Sequence, residues 1–334
     1  MTMTTSSSSL LIRQELWSNQ IKEPLRDELL AMSFLTNISD FMDGETMTIP
    51  SVGDALAEDY TENTPVNYQP YDTGEFQFSI TDYKSSGTYV TKKNLQDSYY
   101  MNTLMSTFPQ KQVRAIMQAF ETKIWKDPED VMGTTANGTY TINGLMHRFA
   151  AGLSSTDNTI DLADFSYAWT ALQTANVPMQ NLVAIVPPQV AHKLNTLSNI
   201  VNVSNNPNFD GIITTGLSTG FKYVRNIFGF DVFTSNYLPD ASTLTNTPTA
   251  LVHRDGSTAG PNFSTAGTGR PCYFFSAAAG DVNPFIYAFR QMPELDMEYN
   301  KDLQRTELIT TARYGSKLYR PENMVIAFTT LAMA

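Results

Sequence analysis

Apolar positions along this chain change period several times, and each period predicts an element. The clearest helical pattern lies within 94–127, where Val113, Ile116, Phe120 and Ile124 recur at i, i+3, i+7 and i+11, the stripe of a core-facing helix. Leu95 to Phe108 carries a similar pattern, and Pro109 is expected to kink or divide the two segments. Residues 46–93 read instead as strands: Met47 and Ile49 alternate with Thr, and Phe76, Phe78 and Ile80 alternate cleanly. Between them, Asp54 to Gly74 carries Pro65 and Pro70 and no long apolar run. An excursion of about twenty residues is long for a compact domain, and such loops are functional or held by a partner. The first 45 residues open as a Thr/Ser-rich tail. Leu11, Trp17, Ile21, Leu25 and Leu29 then give Leu10 to Met32 a partial helical stripe, interrupted by Pro24. This stretch reads as an arm that gains order by lying on something else.

Beyond the long helix, Asn137-Gly138 before Thr139-Tyr140-Thr141-Ile142 is a hairpin signal. From about residue 158 helices and strands alternate. Asp161 is placed to cap a helix, with Asp164 in the capping-box position and Leu162, Phe165, Trp169 and Leu172 as its buried stripe. Leu182 to Val186 is a continuous apolar run, the mark of a strand buried on both faces. Pro187-Pro188 ends it and opens a helix over Gln189–Leu197. A polar loop at 202–220 precedes a strand at Phe230–Thr234, and a Thr/Ser/Gly/Pro-rich region at 240–272 surrounds a short strand at Ala250–His253. A strand at Tyr273–Ala277, an extended stretch from Leu303 to Leu318 and a buried run from Met324 to Phe328 close the chain.

Composition narrows the function classes. Of 334 residues, 42% are hydrophobic and 11% aromatic, enough for a sizeable core. Charged residues make up 16%, against roughly 25% in an average soluble domain. The surface is therefore either coated with Ser, Thr and Asn or buried against other chains. A net charge of −11 disfavours general nucleic-acid binding, whose affinity comes from neutralising phosphates. Cys272 is the single cysteine, so no disulfide framework or Cys metal site is expected. With no signal h-region and no apolar run of membrane-spanning length, a cytosolic protein without membrane contact is expected.

Candidate chemistry is sparse. His147, His192 and His253 lie far apart and outside any metal-ligand spacing, and each reads as a surface or hydrogen-bonded structural histidine. Cys272 reads as a buried thiol. Glu58-Asp59, Asp127-Glu129-Asp130 and Glu294-Asp296-Glu298 are acid clusters. A glycosidase needs two carboxylates at a defined separation, but the third cluster alternates as on one strand face, and the second follows Lys123 and Lys126. Solvated faces or ion pairs are the better reading. Asn137-Gly138-Thr139 fits a glycosylation sequon without a secretory context. No catalytic, cofactor-binding or metal constellation emerges.

Charge placement is more informative. Residues 51–91 hold seven acids and one base, whereas 92–126 hold six bases and two acids. An acidic excursion thus directly precedes a basic helix. Three readings are open: the loop neutralises its own helix, the two are unrelated solvated faces, or the loop of one subunit lies over the helix of the next. A loop that projects away from its own helix does not easily fold back onto it, and head-to-tail contacts of the third kind build rings or lattices. The candidate intersubunit residues are Glu58, Asp59 and Glu62 on the loop and Lys92, Lys93, Arg114 and Lys123 on the helix.

Local wording adds to the order of elements. Ser79-Ile80-Thr81-Asp82-Tyr83-Lys84 leads toward the long helix, and Ile185-Val186-Pro187-Pro188-Gln189 sits at a strand-to-helix junction. Ile227-Phe228-Gly229-Phe230-Asp231-Val232 precedes Ser235-Asn236-Tyr237-Leu238-Pro239, and Arg313-Tyr314-Gly315-Ser316-Lys317 precedes Arg320-Pro321-Glu322. Over nearly its whole length the chain resembles the major capsid protein of tailed bacteriophages, the Hong Kong 97-type fold. The resemblance implies an α+β architecture with an N-terminal arm (1–45), an extended β-hairpin E-loop (46–93) and a peripheral domain (94–150 and 285–320) containing a spine helix (94–127). A mixed α/β axial domain would comprise 151–284 and 321–334.

The implied function is structural, with no reaction catalysed and no cofactor. Copies would self-assemble as pentamers and hexamers into the icosahedral head shell around phage DNA, touching that DNA weakly and nonspecifically. In this family the E-loop rests on a neighbour near its spine helix. The short arm points to a separate scaffolding protein, and portal and decoration proteins are further expected partners. The location would be the virion capsid, assembled in the bacterial host cytoplasm. Some relatives crosslink a loop lysine, but Lys84 lies near the end of 51–91 rather than at its tip, so covalent crosslinking is not expected. An encapsulin-like nanocompartment shell is the nearest alternative, and a carbohydrate-active enzyme with a carboxylate pair is the alternative from another class.

Overall fold

The computed structural model describes residues 29–38, 46–53, 55, 57–65, 68, 70, 73–98, 101–135, 137–153, 158–196, 223–257, 262–278 and 282–331. The expected helical arm up to residue 28 and the polar loop at 202–220 lie outside them. The first half contains strands β1 (Leu35–Asn37), β2 (Thr46–Val52), β3 (Thr73–Ser79) and β4 (Asp82–Thr91), then helices α1 (Lys92–Asp97), α2 (Met101–Ile124) and α3 (Asp127–Met132). Next come β5 (Thr141–Ile142), β6 (Leu145–Met146), β7 (Arg148–Ala150), α4 (Leu162–Thr174), β8 (Leu182–Val186) and α5 (Pro188–Thr196). The remainder is β9 (Tyr223–Ile227), β10 (Phe230–Thr234), β11 (Gly269–Ser276), β12 (Phe285–Asn300), β13 (Arg305–Leu318) and β14 (Val325–Thr330).

Two sheets organise these elements. One has the order β1-β12-β13-β4, built on the long antiparallel β12–β13 hairpin with β4 along its far side. α2 crosses one face of this sheet. Phe120 meets Tyr314 edge-to-face at 4.9 Å, and Gln112 bonds the Leu308 carbonyl and the Thr310 hydroxyl. The second sheet has the order β7-β14-β11-β8-β10-β9. Its Leu182, Ala184 and Val186 pack beneath α4 and α5, while Val183 and Ile185 join a core shared with Ile116, Phe120 and Trp125 of the α2 region. Burial on both faces is why β8 has no polar alternation. The second core ties the two sheets together, so the chain crosses between them at β7, β12 and β14 without a linker.

β2 and β3 form a separate two-stranded hairpin. Its root is clamped: Phe78 and Ile80 are buried with Ile286 and Ala288, and Lys317 lies over the Phe76 ring at 4.8 Å. The root crosses β13 at Gly315, where an added Cβ would meet the Ser79 carbonyl oxygen at 2.7 Å and the Ile80 Cα at 3.2 Å. Glycine is the residue that lets the two backbones approach so closely.

Several expectations change. α2 continues through Pro109 undivided, because packing of Ile116, Phe120 and Ile124 onto the sheet holds the helix across one missing hydrogen bond. The helical region 94–127 is otherwise split into α1, α2 and the start of α3. β4 belongs to the four-stranded sheet, so the projecting hairpin covers Thr46–Ser79 rather than all of 46–93. Part of the supposed arm, Leu35–Asn37, is a strand of the same sheet. The hairpin turn sits at Asn143-Gly144, both with positive φ (49° and 83°), as a tight two-residue turn requires. At Asn137-Gly138 the amide of Gly138 bonds back to Thr135, and the Asn137 side chain accepts from the amides of Thr249 and Ala250. Ala250–His253 makes a single bridge to Ala150 rather than a strand, since β7 offers only a three-residue partner. In α4, Ala168 and Ala171 complete the buried stripe with Phe165 and Leu172, and Trp169 lies exposed at its edge.

Candidate assembly interface

The hairpin β2–β3 carries the acidic excursion at its open end. Glu58, Asp59 and Glu62 are all exposed. A turn from Thr61 to Thr64, with Asn63 at φ 62°, shapes this stretch. Tyr60 and Tyr68 stand out of it at 77% and 92% exposure. Large aromatic rings on a polar projection are characteristic of contact surfaces. Tyrosine does not enter a charge balance, although three Tyr in a segment without apolar periodicity (Tyr60, Tyr68 and Tyr71) are a readable signal.

The basic residues divide into two groups. Lys92 and Lys93 are exposed in the first turn of α1, whose N-cap Thr91 accepts from the Asn94 amide at 3.3 Å. Cations at a helix N-terminus oppose the backbone dipole by a few tenths of a kcal/mol, so these lysines do nothing for their own helix. Arg114 is half-buried on α2. Lys123 differs from the expectation: it pairs with Asp127 at 3.0 Å and Asp82 at 3.4 Å, and donates to the Ser316 carbonyl at 3.3 Å. Burial alone would lower its pKa, but Asp127 and Asp82 outweigh it and the pKa is raised. Its charge is therefore already matched within the chain.

Between β4 and α2 runs an open cleft of about 530 Å³. Ala115 and Ala119 form its floor, and Lys84, Lys123 and Lys126 line it with Asp82 and Asp130. Small side chains on the exposed flank of α2 open the groove; Lys123 in it is already paired with Asp82 and Asp127, which leaves Lys84 and Lys126 as the other cations of its lining. Lys84 stands 4.0 Å from Asp82 at one wall.

The other candidate groups are structural. Asp127, at the N-terminus of α3, lies among Lys123 and Ser316; burial pushes its pKa up to about 7, against the opposing pull of Lys123. Glu129 is gripped by Arg148 through Nε and Nη2 at 3.0 Å, both side chains being buried, and Arg148 also reaches the Gly138 carbonyl at 2.7 Å. Two converging carboxylates, Asp161 and Asp164, complete the expected capping box on α4. Both are bound by Arg254, and Asp164 further accepts from the Gly152 amide. His147 and His253 are buried beside the Met324 and Gly152 carbonyls, and His192 is exposed. Cys272 is buried, and desolvation pushes its thiol well up. Glu294, Asp296 and Glu298 lie exposed along β12. Among the described residues, no group of three or more His, Cys, Asp or Glu side chains is placed to hold a metal, and no helix is long and apolar enough to cross a membrane.

Comparison with known proteins places this architecture. Solved structures with the same fold include a chain of the Cyanophage Pam1 capsid (15% identity, TM-score 0.70, covering 100% of this chain and 99% of that one). A chain of the Cyanophage P-SCSP1u capsid matches at 15% identity and TM-score 0.66, covering 98% and 95%. A chain from Mycobacterium phage Che8 matches at 16% identity and TM-score 0.64, covering 94% and 96%. The fold is thus the α+β Hong Kong 97-like capsid fold. No curated protein sequence matches significantly. The family model described as phage capsid protein matches residues 75–327, and the chain belongs to that family.

Proposed function

We propose that this structural capsid shell protein assembles as pentamers and hexamers in which the acidic loop of one copy lies along the β4–α2 cleft and the α1 lysines of the next. The observation that carries the reading is the pairing of opposites. Glu58, Asp59 and Glu62 project on a hairpin with a rigid root, whereas Lys84, Lys92, Lys93 and Lys126 lie on the body. The contact is head-to-tail, which closes into rings and extends into shells. Tyr60 and Tyr68 supply apolar area to a contact that charge orients. Lys123 serves the body itself, holding α2 and α3 to β4 and β13. In this reading the hairpin is the E-loop, α2 the spine helix, the four-stranded sheet the peripheral domain and the six-stranded sheet the axial domain. Scaffolding, portal and decoration proteins complete the particle, which forms in the host cytoplasm. The net negative charge keeps contact with packaged DNA weak and nonspecific.

Charge swapping tests the contact. Exposed pairs contribute roughly 0.2–1 kcal/mol each, so reversing Glu58, Asp59 and Glu62 to Lys removes and then opposes about 1–3 kcal/mol per contact. Sedimentation should show assembly weakened by roughly 5- to 150-fold with the circular dichroism of the subunit unchanged. Adding Lys92→Glu and Lys93→Glu should restore part of it. Assembly indifferent to the triple reversal would overturn the proposed contact.

A further inference from the structure

The four-stranded sheet ends on β4, and among the described residues no further strand pairs with its free side. At ten residues β4 is the longest strand at a sheet edge, against three for β1 at the opposite side. Folded monomers blunt such edges with proline, bulges or charge. β4 contains no proline, and its pairs with β13 run without a register shift, whereas the pairing of β12 with β13 is interrupted twice. Its two charges, Asp82 and Lys84, lie at one end. A long, regular, weakly charged edge is a template for another strand.

The ladder with β13 sets which groups face outward. The Lys92 amide bonds the Gln304 carbonyl at 2.9 Å, one step beyond the pair of Thr91 with Arg305. Hydrogen-bonded and non-hydrogen-bonded pairs alternate in an antiparallel ladder, so Lys84, Ser86, Thr88 and Val90 exchange bonds with β13. The N–H and C=O groups of Tyr83, Ser85, Gly87 and Tyr89 therefore point to the free edge. Side chains alternate in the same way. Asp82 and Lys84 stand opposite Tyr314 and Ala312, which are buried in the core that contains Phe120 of α2. Even-numbered residues of β4 thus face the helix. Tyr83 and Tyr89 stand on the other face, at 62% and 59% exposure.

This segment complements itself. Ser86 lies midway between Tyr83 and Tyr89. When two copies run antiparallel about Ser86, Tyr83 falls opposite Tyr89 and Ser85 opposite Gly87. These are the residues whose backbone groups are free, so the register that matches the tyrosines is also in phase for two bonds at each pair. Aromatic residues facing each other across strands stabilise a sheet. Lys84 meets Thr88, which leaves the two Lys84 side chains four residues or about 14 Å apart, beyond the screening length of about 8 Å. A head-to-tail contact closes rings, and a shell also needs a contact that joins one ring to the next. An isologous pairing about a two-fold axis is such a contact.

We propose that β4 of one copy pairs antiparallel with β4 of a second copy in the adjacent ring, centred on Ser86, so that the two four-stranded sheets become continuous across a two-fold axis. The contact uses the strand edge and the face away from α2. The acidic loop proposed above uses the helix face, where Asp82 and Lys84 line the cleft. The two contacts are therefore separate, and either can fail while the other holds.

Single cysteines in the full-length protein test it, with the buried Cys272 left in place. In assembled shells, Ser86→Cys should oxidise to a disulfide-linked dimer on a non-reducing gel, because Cα atoms facing each other in a non-hydrogen-bonded pair lie about 4.5 Å apart. Thr88→Cys, about 14 Å from its counterpart across the axis, should link at least about ten-fold less. Equal linkage at both positions, or none at Ser86→Cys, would overturn the proposal. As a second readout, Ser85→Pro removes an amide that faces the free edge and leaves the β13 ladder intact. Circular dichroism should be unchanged and rings should still form, while the yield of closed shells in sedimentation should fall at least about ten-fold. A shell yield equal to the parent's would overturn the pairing, and loss of the rings themselves would place β4 in the ring contact and overturn it too. Slowed hydrogen exchange of the Ser85 and Gly87 amides in shells that lack the Ser86→Cys link would give the edge to a different strand, which also overturns self-pairing.

Discussion

Replacing Gly315 by alanine tests how tightly the hairpin root is set against β13. The new Cβ would lie 2.7 Å from the Ser79 carbonyl oxygen, 3.2 Å from the Ile80 Cα and 3.2 Å from the Phe78 ring. Two of these are backbone atoms, and the third belongs to a fully buried ring, so no flexible side chain can move aside. Relief requires the β3 root to shift by about half an ångström or more, which disturbs the cluster of Phe78, Ile80, Ile286 and Ala288. Overpacking of this kind costs about 1–3 kcal/mol, and for a large chain about 2 °C of Tm per kcal/mol, so a drop of roughly 2–6 °C is expected. Gly87 is the internal control. It sits in β4, where a Cβ would meet Ile309 Cγ1 at 3.6 Å and the Leu308 carbonyl at 3.9 Å. These are ordinary contacts, so Gly87→Ala should be neutral or slightly stabilising. Thermal melts of unassembled protein, with sedimentation of the assembled form, separate the two. Gly315→Ala should also assemble less well, because the hairpin is redirected. If it melts and assembles like the parent, the close crossing of β3 over β13 is wrong.

Three further outcomes follow from buried charge. Arg148→Met should cost about 3–5 kcal/mol, since it leaves Glu129 buried without its cation; chemical denaturation reads this, and adding Glu129→Gln should recover part of the loss. Burial raises the Asp127 pKa to about 7, so between about pH 4 and pH 7 the folded chain keeps a proton that the unfolded chain has released. Its contribution therefore falls as pH rises through that window, by up to about 4 kcal/mol, and the Tm of Asp127→Asn should decline less steeply with pH than that of the parent. Asp164, raised to about 6 by burial and Asp161, acts with the same sign over a narrower range, so Asp164→Asn should flatten the remaining slope between about pH 4 and pH 6, at the expense of the α4 capping box.

The parts of the fold that were legible in the sequence are those set by neighbours along the chain. Leu182–Val186 is apolar at every position because both faces are covered, and Asp161 and Asp164 cap α4 through residues three apart. Phe76, Phe78 and Ile80 alternate because one side of the hairpin root is buried. What was not legible depends on distant partners. Asn137-Gly138 and Asn143-Gly144 are the same dipeptide, and the side chain of the first is drawn off by Thr249 and Ala250, more than a hundred positions away. The pairing of Lys123 with Asp127, one turn on, was within the ion-pair reading of that acid cluster, whereas its second partner, Asp82 on β4, gave no sequence sign of meeting it there. The small floor of the β4–α2 cleft was hidden similarly: Ala115 and Ala119 interrupt no periodicity, and only β4 alongside makes them a groove.

A capsid chain of this family builds its shell from copies of itself, and in the proposed contact the acidic hairpin of each copy meets the basic flank of the next. Electron microscopy of the purified full-length protein, alone and with a scaffold under assembly conditions, tests it most directly. Shells, tubes or pentameric and hexameric capsomers are expected, with each hairpin over its neighbour's α2. A stable, monodisperse monomer under all of these conditions would contradict it.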